Sequence, residues 1–190
     1  TKVVEKRKVD GVFINTTGIG KLIFPKMRKE NISPGDKILL TGPVANHGMC
    51  IMNERKRILK TTKIKSDCKS LIFLLNYHNF KIKFMRDPTR GGIAASLNEI
   101  VDGAPWGIKI FEEKIPIEKE VKSLCEILGF DPLSVANEGV MLIFVEGNEA
   151  KKLLKEIKKH PFGKKAQIIG EVTKKNKGKV ILKTLFGGER

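Results

Sequence analysis

Hydrophobic residues change their spacing from segment to segment along this chain, and each spacing predicts an element. Short apolar runs bounded by turn residues read as buried strands: Lys37-Ile-Leu-Leu-Thr41, Trp106-Gly-Ile-Lys-Ile-Phe111, Val140 to Val145, Ala166 to Val172 and Lys179 to Thr184. Phe80-Lys-Ile-Lys-Phe84 alternates and predicts a strand over 80–85. Helical spacing appears at Ile93, Leu97, Ile100 and Val101, and again from Pro116 to Leu128, where Gly129 supplies a C′ stop. Asn148 reads as the cap of a lysine-rich helix over 149–159, which Pro161 and Gly163 end. Met49 to Lys56 is a short helix. Ser66-Asp67 caps another, with Leu71, Ile72, Leu74 and Leu75 on its apolar face, ending near Asn79.

Ahead of Lys37 the pattern is extended. Lys2 to Lys6 closes one strand, Asp10-Gly11 is a hairpin signal, and Val12 to Thr17 is a second strand. Two strands make no core alone, so they are expected to belong to a further domain or to pair with another chain. Pro34-Gly35-Asp36 is a tight turn that opens the next unit. The expected division is residues 1–33 as the remnant of one domain and 34–190 as a second. Strands and helices interleave, yet several strands are joined by short turns, including Lys174 to Gly178 between the last two. That mixture predicts the α+β class, a mixed sheet flanked by helices, over a doubly wound parallel sheet.

Composition narrows the function classes. With 190 residues, 41% hydrophobic and 31% charged, the chain has enough for one full domain, or one plus part of another. No apolar run approaches the ~20 residues of a membrane span, and Thr1-Lys-Val-Val-Glu-Lys-Arg-Lys8 is no signal peptide. Cys50, Cys68 and Cys125 form no CxxC pair, which suits a reducing cytoplasm, and each reads as a small core residue. The net charge of +16 raises nucleic-acid binding. Against it, the basic residues are mostly scattered lysines, gathered on one helix face (Lys151, Lys152, Lys155, Lys158, Lys159) and one turn, and aromatics are 6%. Attracting a polyanion such as ATP needs only a local patch.

The candidate chemistry lies in loops. Arg86-Asp-Pro-Thr-Arg-Gly-Gly92 joins a strand to a helix, and bare amides beside arginines suit a phosphate or a carboxylate. From the residues alone it serves equally as an ordinary connection with solvated charges. Glu138, in Asn137-Glu138-Gly139, can be a general base or a turn carboxylate accepting backbone N–H groups. His47, in Asn46-His47-Gly48, can donate to a phosphate or an oxyanion, or can be structural. His78 and His160 lie at helix ends. Lys2 has no distinguishing context. There is no Walker A sequence, GxGxxG, GxSxG or HExxH.

Several of these segments carry a resemblance. Arg86 to Gly92 with Leu97-Asn98-Glu99, Gly129-Phe-Asp-Pro-Leu133, Ala136-Asn-Glu-Gly139, Ile168-Ile-Gly-Glu-Val172, Phe186-Gly-Gly188, Gly11 to Gly18 and His47-Gly48 stand in order along nearly the whole chain. The sequence resembles the HypE family of hydrogenase maturation proteins, within the superfamily of aminoimidazole ribonucleotide synthetase and selenophosphate synthetase. The resemblance implies a C-terminal domain of that fold, with an N-terminal domain that pairs across a homodimer and ATP in the cleft between them. It implies ATP- and Mg²⁺-dependent dehydration of an S-carbamoyl group on the family's own C-terminal cysteine. The product is a thiocyanate that becomes the cyanide ligand of [NiFe] hydrogenase. The implied partners are the carbamoyltransferase HypF and the iron-carrying HypC–HypD complex. Glu138 is the implied base and Lys2 holds developing charge. Asp87, Thr89, Arg90, Gly91, Gly92, His47 and Asn137 line the cofactor site. Other amide-activating enzymes of the superfamily, or a basic binding module, are the alternative expectations.

Departures from the family pattern carry expectations too. The chain starts at Thr1-Lys2, without the Gly-Asp that precedes the family lysine, so most ATP and Mg²⁺ ligands are expected outside it. It stops at Arg190, ahead of the family's cysteine tail, so this polypeptide alone is expected to be inactive. Cys50, Cys68 and Cys125 are expected in core elements and cannot replace that cysteine. Asn46 stands where the family more often has aspartate, which puts a charged role there in doubt.

Overall fold

Two short strands, β1 (Lys37–Leu40) and β4 (Leu142–Val145), form the centre of the computed structural model, which describes residues 17–19, 27–58 and 64–190. They pair antiparallel, Lys37 opposite Val145 and Leu40 opposite Leu142. Side chains alternate across a sheet. Ile38, Leu40, Leu142 and Phe144 therefore enter one buried cluster, and Leu39, Ile143 and Val145 enter another on the opposite face. Burial on both faces explains why these strands read as unbroken apolar runs.

Strands β2 (Ile82–Arg86), β3 (Gly107–Phe111), β5 (Gln167–Thr173) and β6 (Val180–Lys183) complete a six-stranded sheet of order β2-β4-β1-β5-β3-β6. All neighbours are antiparallel except β3 and β6. The class is α+β with a mixed sheet, as the patterning predicts. The last two strands are not a hairpin, however, because β3 lies between them. Their turn crosses the end of β3, where Gly178 N–H donates to the Trp106 carbonyl at 2.9 Å. Gly107 makes the crossing possible: a Cβ there would lie 2.3 Å from the Lys175 and Asn176 carbonyl oxygens.

Helix α2 (Gly92–Val101) covers one face through Ile93, Leu97, Ile100 and Val101. Helix α4 (Ala150–Lys159) covers the other through Leu153 and Ile157, leaving its lysines toward solvent. Asn148 is not its cap; Glu149 holds that position and no side chain caps the helix. Helices α1 (Asn46–Lys56) and α3 (Lys119–Leu128) share a smaller cluster of Ala45, Met49, Val121, Leu124, Cys125 and Val135. Gly129 ends α3 in the left-handed conformation, φ 70°, as its position predicts. Helix α1 takes in Asn46, His47 and Gly48 as its first turn, so His47 is helical and not in a loop.

The helix expected after Ser66-Asp67 does not form. Residues 64–71 are irregular, and only a 3-10 turn comes after them, Ile72–Tyr77. Its buried residues are Phe73 and Leu74, while Ile72 and Leu75 are 71% and 57% exposed. Phe73 stacks on His160 with ring centroids 4.1 Å apart and meets Tyr77 and Phe162 edge-on. These aromatic contacts, with Asp67 engaged elsewhere, set the segment against a regular helix. Only Cys125 of the three free cysteines is buried; Cys50 is half-buried and Cys68 exposed, so the expectation of three core cysteines fails. No helix among the described residues is long and apolar enough to cross a membrane. The expected strands and hairpin before residue 17, and Lys2, lie outside the described residues.

Phe144 is fully buried on β4. Phe144→Ala is expected to cost about 3–5 kcal/mol in urea unfolding, whereas Leu75→Ala stays within about 0.5 kcal/mol. Equal losses would contradict this division of the core.

Candidate functional site

The segment Leu133–Gly139 gathers the motifs that the sequence singles out. Asp131 starts it by accepting from Leu133 N–H at 2.9 Å, capping the turn Pro132–Ser134. Three glycines let backbone segments pack closely around it. Gly48 of α1 donates its N–H to the Ala136 carbonyl at 3.2 Å, and a Cβ there would meet Val135 at 2.4 Å. Gly92, with φ 63°, would place a Cβ 2.4 Å from the Leu133 oxygen. Gly139 would place one 1.8 Å from the Asp67 oxygen. At these positions the absent side chain is a condition of the packing.

Asn137 sits inside this arrangement with no exposed surface. Its Oδ1 accepts from Ala45 N–H at 2.8 Å, and its Nδ2 donates to the carbonyls of Pro88 at 2.9 Å and Val135 at 3.1 Å. It thus ties the start of α1 to the loop before α2. An amide engaged this way positions the site; the cofactor contact expected of Asn137 finds no free group on its amide nitrogen.

Glu138 is half-buried, and its N–H donates to Asp67 Oδ1 at 3.1 Å. His47 Nδ1 lies 3.0 Å from Ser66 Oγ, which also accepts from Cys68 N–H at 3.1 Å. Glu138, His47, Ser66 and Asp67 therefore come together. Burial pushes the Asp67 carboxyl above its ordinary range, while the Glu138 N–H and the charges of His47 and Lys69 pull it back. Asp67 Oδ2 and Asn46 Oδ1 are buried without a hydrogen-bond partner.

The loop before α2 stands beside this group, linked to it through Pro88 and Asn137. Asp87 and Arg90 are exposed and Thr89 is half-buried. Gly91 and Gly92 are left-handed, with φ of 72° and 63°, and no side chain caps α2. Arg86 is ion-paired to Glu99, so Arg90 is the loop's open cation. Among the described residues no hydrogen bond or ion pair ties the side chains of Asp87, Thr89 or Arg90 to Glu138. No group of three or more His, Cys, Asp or Glu side chains among them is placed to hold a metal ion. Cys125 is no nucleophile: burial first, then Asp131 and Glu126, push its thiol up to about 11. Asp67 is the residue that sequence reasoning missed, since Ser-Asp before apolar residues has the signature of a helix cap.

A family model confirms the class. The chain belongs to the AIR synthase related proteins, matching their C-terminal domain over residues 33–183. Its relatives place it among the HypE-type members of that superfamily. Carbamoyl dehydratase HypE of Rhizobium leguminosarum bv. viciae is 43% identical over 100% of this chain and 56% of its own length. The Escherichia coli K12 carbamoyl dehydratase HypE is 37% identical over 100% and 57%. Among solved structures, a HypE–HypF complex matches with TM-score 0.78 and 42% identity over 85% of this chain and 53% of that one. HypE in complex with ATP matches with TM-score 0.79 and 32% identity over 86% and 51%. Thiamine monophosphate kinase of Aquifex aeolicus, at 16% identity and TM-score 0.60 over 85% and 53%, shares the fold alone. The chain spans about half the length of the curated relatives it matches.

Asn137→Ala removes three side-chain hydrogen bonds from a fully buried position and is expected to cost about 2–4 kcal/mol of unfolding free energy by urea titration. A loss under about 0.5 kcal/mol would refute its anchoring role. Asp67 predicts a pH effect. The folded state holds its proton more tightly than the unfolded chain does, so its stability contribution is full below the ordinary value of 3.8 and is lost as pH rises through the higher folded value. Asp67→Asn should melt above wild type at pH 7, with the gap closing as the pH falls below that range. Asp36, raised by burial in the same direction, keeps a similar slope in both proteins. A variant melting lower at pH 7 would reverse the sign.

Proposed function

We propose that this protein works in hydrogenase maturation as an ATP-dependent carbamoyl dehydratase of the HypE type, converting an S-carbamoyl group on its own C-terminal cysteine to a thiocyanate. The observation that carries the reading is Glu138 held by Asp67 beside His47, next to a loop that presents Arg90 and two left-handed glycines. The HypE relatives and the HypE structure solved with ATP support it.

ATP supplies the phosphoryl group that turns the carbamoyl oxygen into a leaving group. Residues of this chain do the rest. Arg90 and the α2 terminus face the anionic end. Of the amide nitrogen's two protons, one passes to solvent as the oxygen is phosphorylated, and Glu138 takes the other as the C–O bond breaks and the C≡N bond forms. Lys2 offsets charge developing on the oxygen that leaves. The atoms balance as carbamoyl thioester plus ATP giving thiocyanate, ADP, phosphate and a proton. The donor set fits ATP through Arg90 and the glycine-bearing loop. For Mg²⁺ the described residues offer no ligand cluster, so no step is assigned to it; its ligands belong to the proposal that residues 1–33 continue a nucleotide-binding domain and 34–190 form the second domain.

The solved HypE–HypF complex supports HypF as a partner, and a homodimer and a HypC–HypD acceptor of the cyanide group complete the proposal. Three free cysteines suit the reducing cytoplasm in which it would act.

Glu138→Gln tests the assignment in a polypeptide of the length of its HypE relatives. Thiocyanate formation on the carbamoylated tail should fall by ~10²–10⁴-fold, with ATP affinity within about twofold of wild type. Parallel loss of both would mean a structural glutamate, and undiminished turnover would remove Glu138 from the chemistry.

A further inference from the structure

Two oxygen atoms near Glu138 lack what buried polar atoms almost always have. Asp67 Oδ2 and Asn46 Oδ1 are enclosed and accept no hydrogen bond. Both belong to the residues that build the site. Asn46 opens α1 directly after Ala45, whose N–H is held by Asn137. Asp67 holds the Glu138 N–H with its other oxygen. His47, next to Asn46, reaches Ser66, next to Asp67, at 3.0 Å.

Both orphan atoms are acceptors, so what they lack is a donor. A fully ionised phosphate supplies none, and its charge would lie beside a carboxyl. A hydroxyl supplies a single O–H. A primary amide nitrogen supplies two N–H groups from one atom. Both residues are half-buried.

We infer that Asp67 and Asn46 form the amide-nitrogen subsite, accepting the two N–H groups of the carbamoyl substrate and so aiming that nitrogen at Glu138. The inference rests on the carbamoyl reading above and deepens it by giving the site a polarity. The amide nitrogen lies at Asp67 and Asn46, and the anionic end lies toward Arg90 and the α2 terminus. Asp67 is also a positioning residue for Glu138, through the backbone bond at its other oxygen. Asn46 needs only its carbonyl oxygen for this role, so a neutral residue there is compatible with function.

The test compares two small probes that differ only at the amide: S-methyl thiocarbamate and S-methyl thioacetate, in which a methyl replaces the amino group. Binding of each is titrated into the protein at the length of its HypE relatives, with ATP binding measured separately. Wild type should prefer the thiocarbamate by about tenfold or more. Asp67→Asn, which can turn a donor toward the ligand, and Asn46→Leu should each abolish that preference while ATP affinity stays unchanged. Asn46→Asp keeps the acceptor and should keep the preference. Equal binding of the two probes by wild type, or an undiminished preference in both Asp67→Asn and Asn46→Leu, would overturn the inference. A wild type that prefers the thiocarbamate yet binds no ATP would uphold the subsite and defeat the dehydratase reading. Thermal melts accompany each variant, so that lost preference in a folded protein is separated from unfolding.

Discussion

The buried amide of Asn137 is the constraint on which the site depends. Its hydrogen bonds join residues 92 and 49 positions away in sequence, at Ala45 and Pro88. Ala45 is left-handed, with φ 70°, a conformation that costs a residue with a Cβ roughly 1 kcal/mol. The bond from its N–H to Asn137 Oδ1 offsets that cost and fixes the angle at which α1 leaves β1. Helix α1 then carries Asn46 and His47 to the segment holding Glu138. The bond to Pro88 does the same for the loop before α2. With Gly48, Gly92 and Gly139 admitting three backbones to close range, one side chain and three missing ones assemble residues that the sequence keeps far apart.

Electrostatics places the site against the grain of the whole molecule. The chain carries +16, yet two carboxylate residues, Asp67 and Glu138, converge beside His47 and Lys69. Ion pairs among the described residues all involve side chains at least partly open to water, where each contributes little. Stability therefore comes from the sheet buried on both faces. The surplus lysines are free to act at long range, raising the local concentration of anionic ligands. In the proposed site the amide end meets carboxyl and amide oxygens, while Arg90 meets the anionic end.

How much of this was legible depends on the range over which each feature is determined. The runs at β1 and β4 are local and were readable, since burial on both faces leaves no polar position. The glycine that ends α3 was readable for the same reason. The partnering of β5 and β6 was not, because β3, far earlier in the chain, decides it by inserting between them. The helix expected after Ser66-Asp67 failed where a tertiary contact overrode a local signal: Asp67 binds the N–H of Glu138, 71 residues away, and so does not cap its own segment. Glu138 and His47 were visible as motif residues. That they meet through Ser66 and Asp67, and that Asn137 is an anchor, depend on contacts between remote loops that no periodicity records.

Fold alone does not assign the chemistry, since a thiamine monophosphate kinase has the same architecture at 16% identity. What separates members of such a fold is a handful of side chains at the mouth of a common scaffold. Here the candidates are Asn46, His47, Asp67 and Glu138, each on a helix start or an irregular segment whose backbone the scaffold holds. A buried carboxyl with one oxygen unbonded lowers stability. Such an arrangement persists where the missing partner arrives with a ligand. Under the proposed dehydratase reading, the unpaired oxygen of Asp67 and the carboxylate of Glu138 act on the same nitrogen: the first selects one that bears hydrogens, and the second accepts a proton from it.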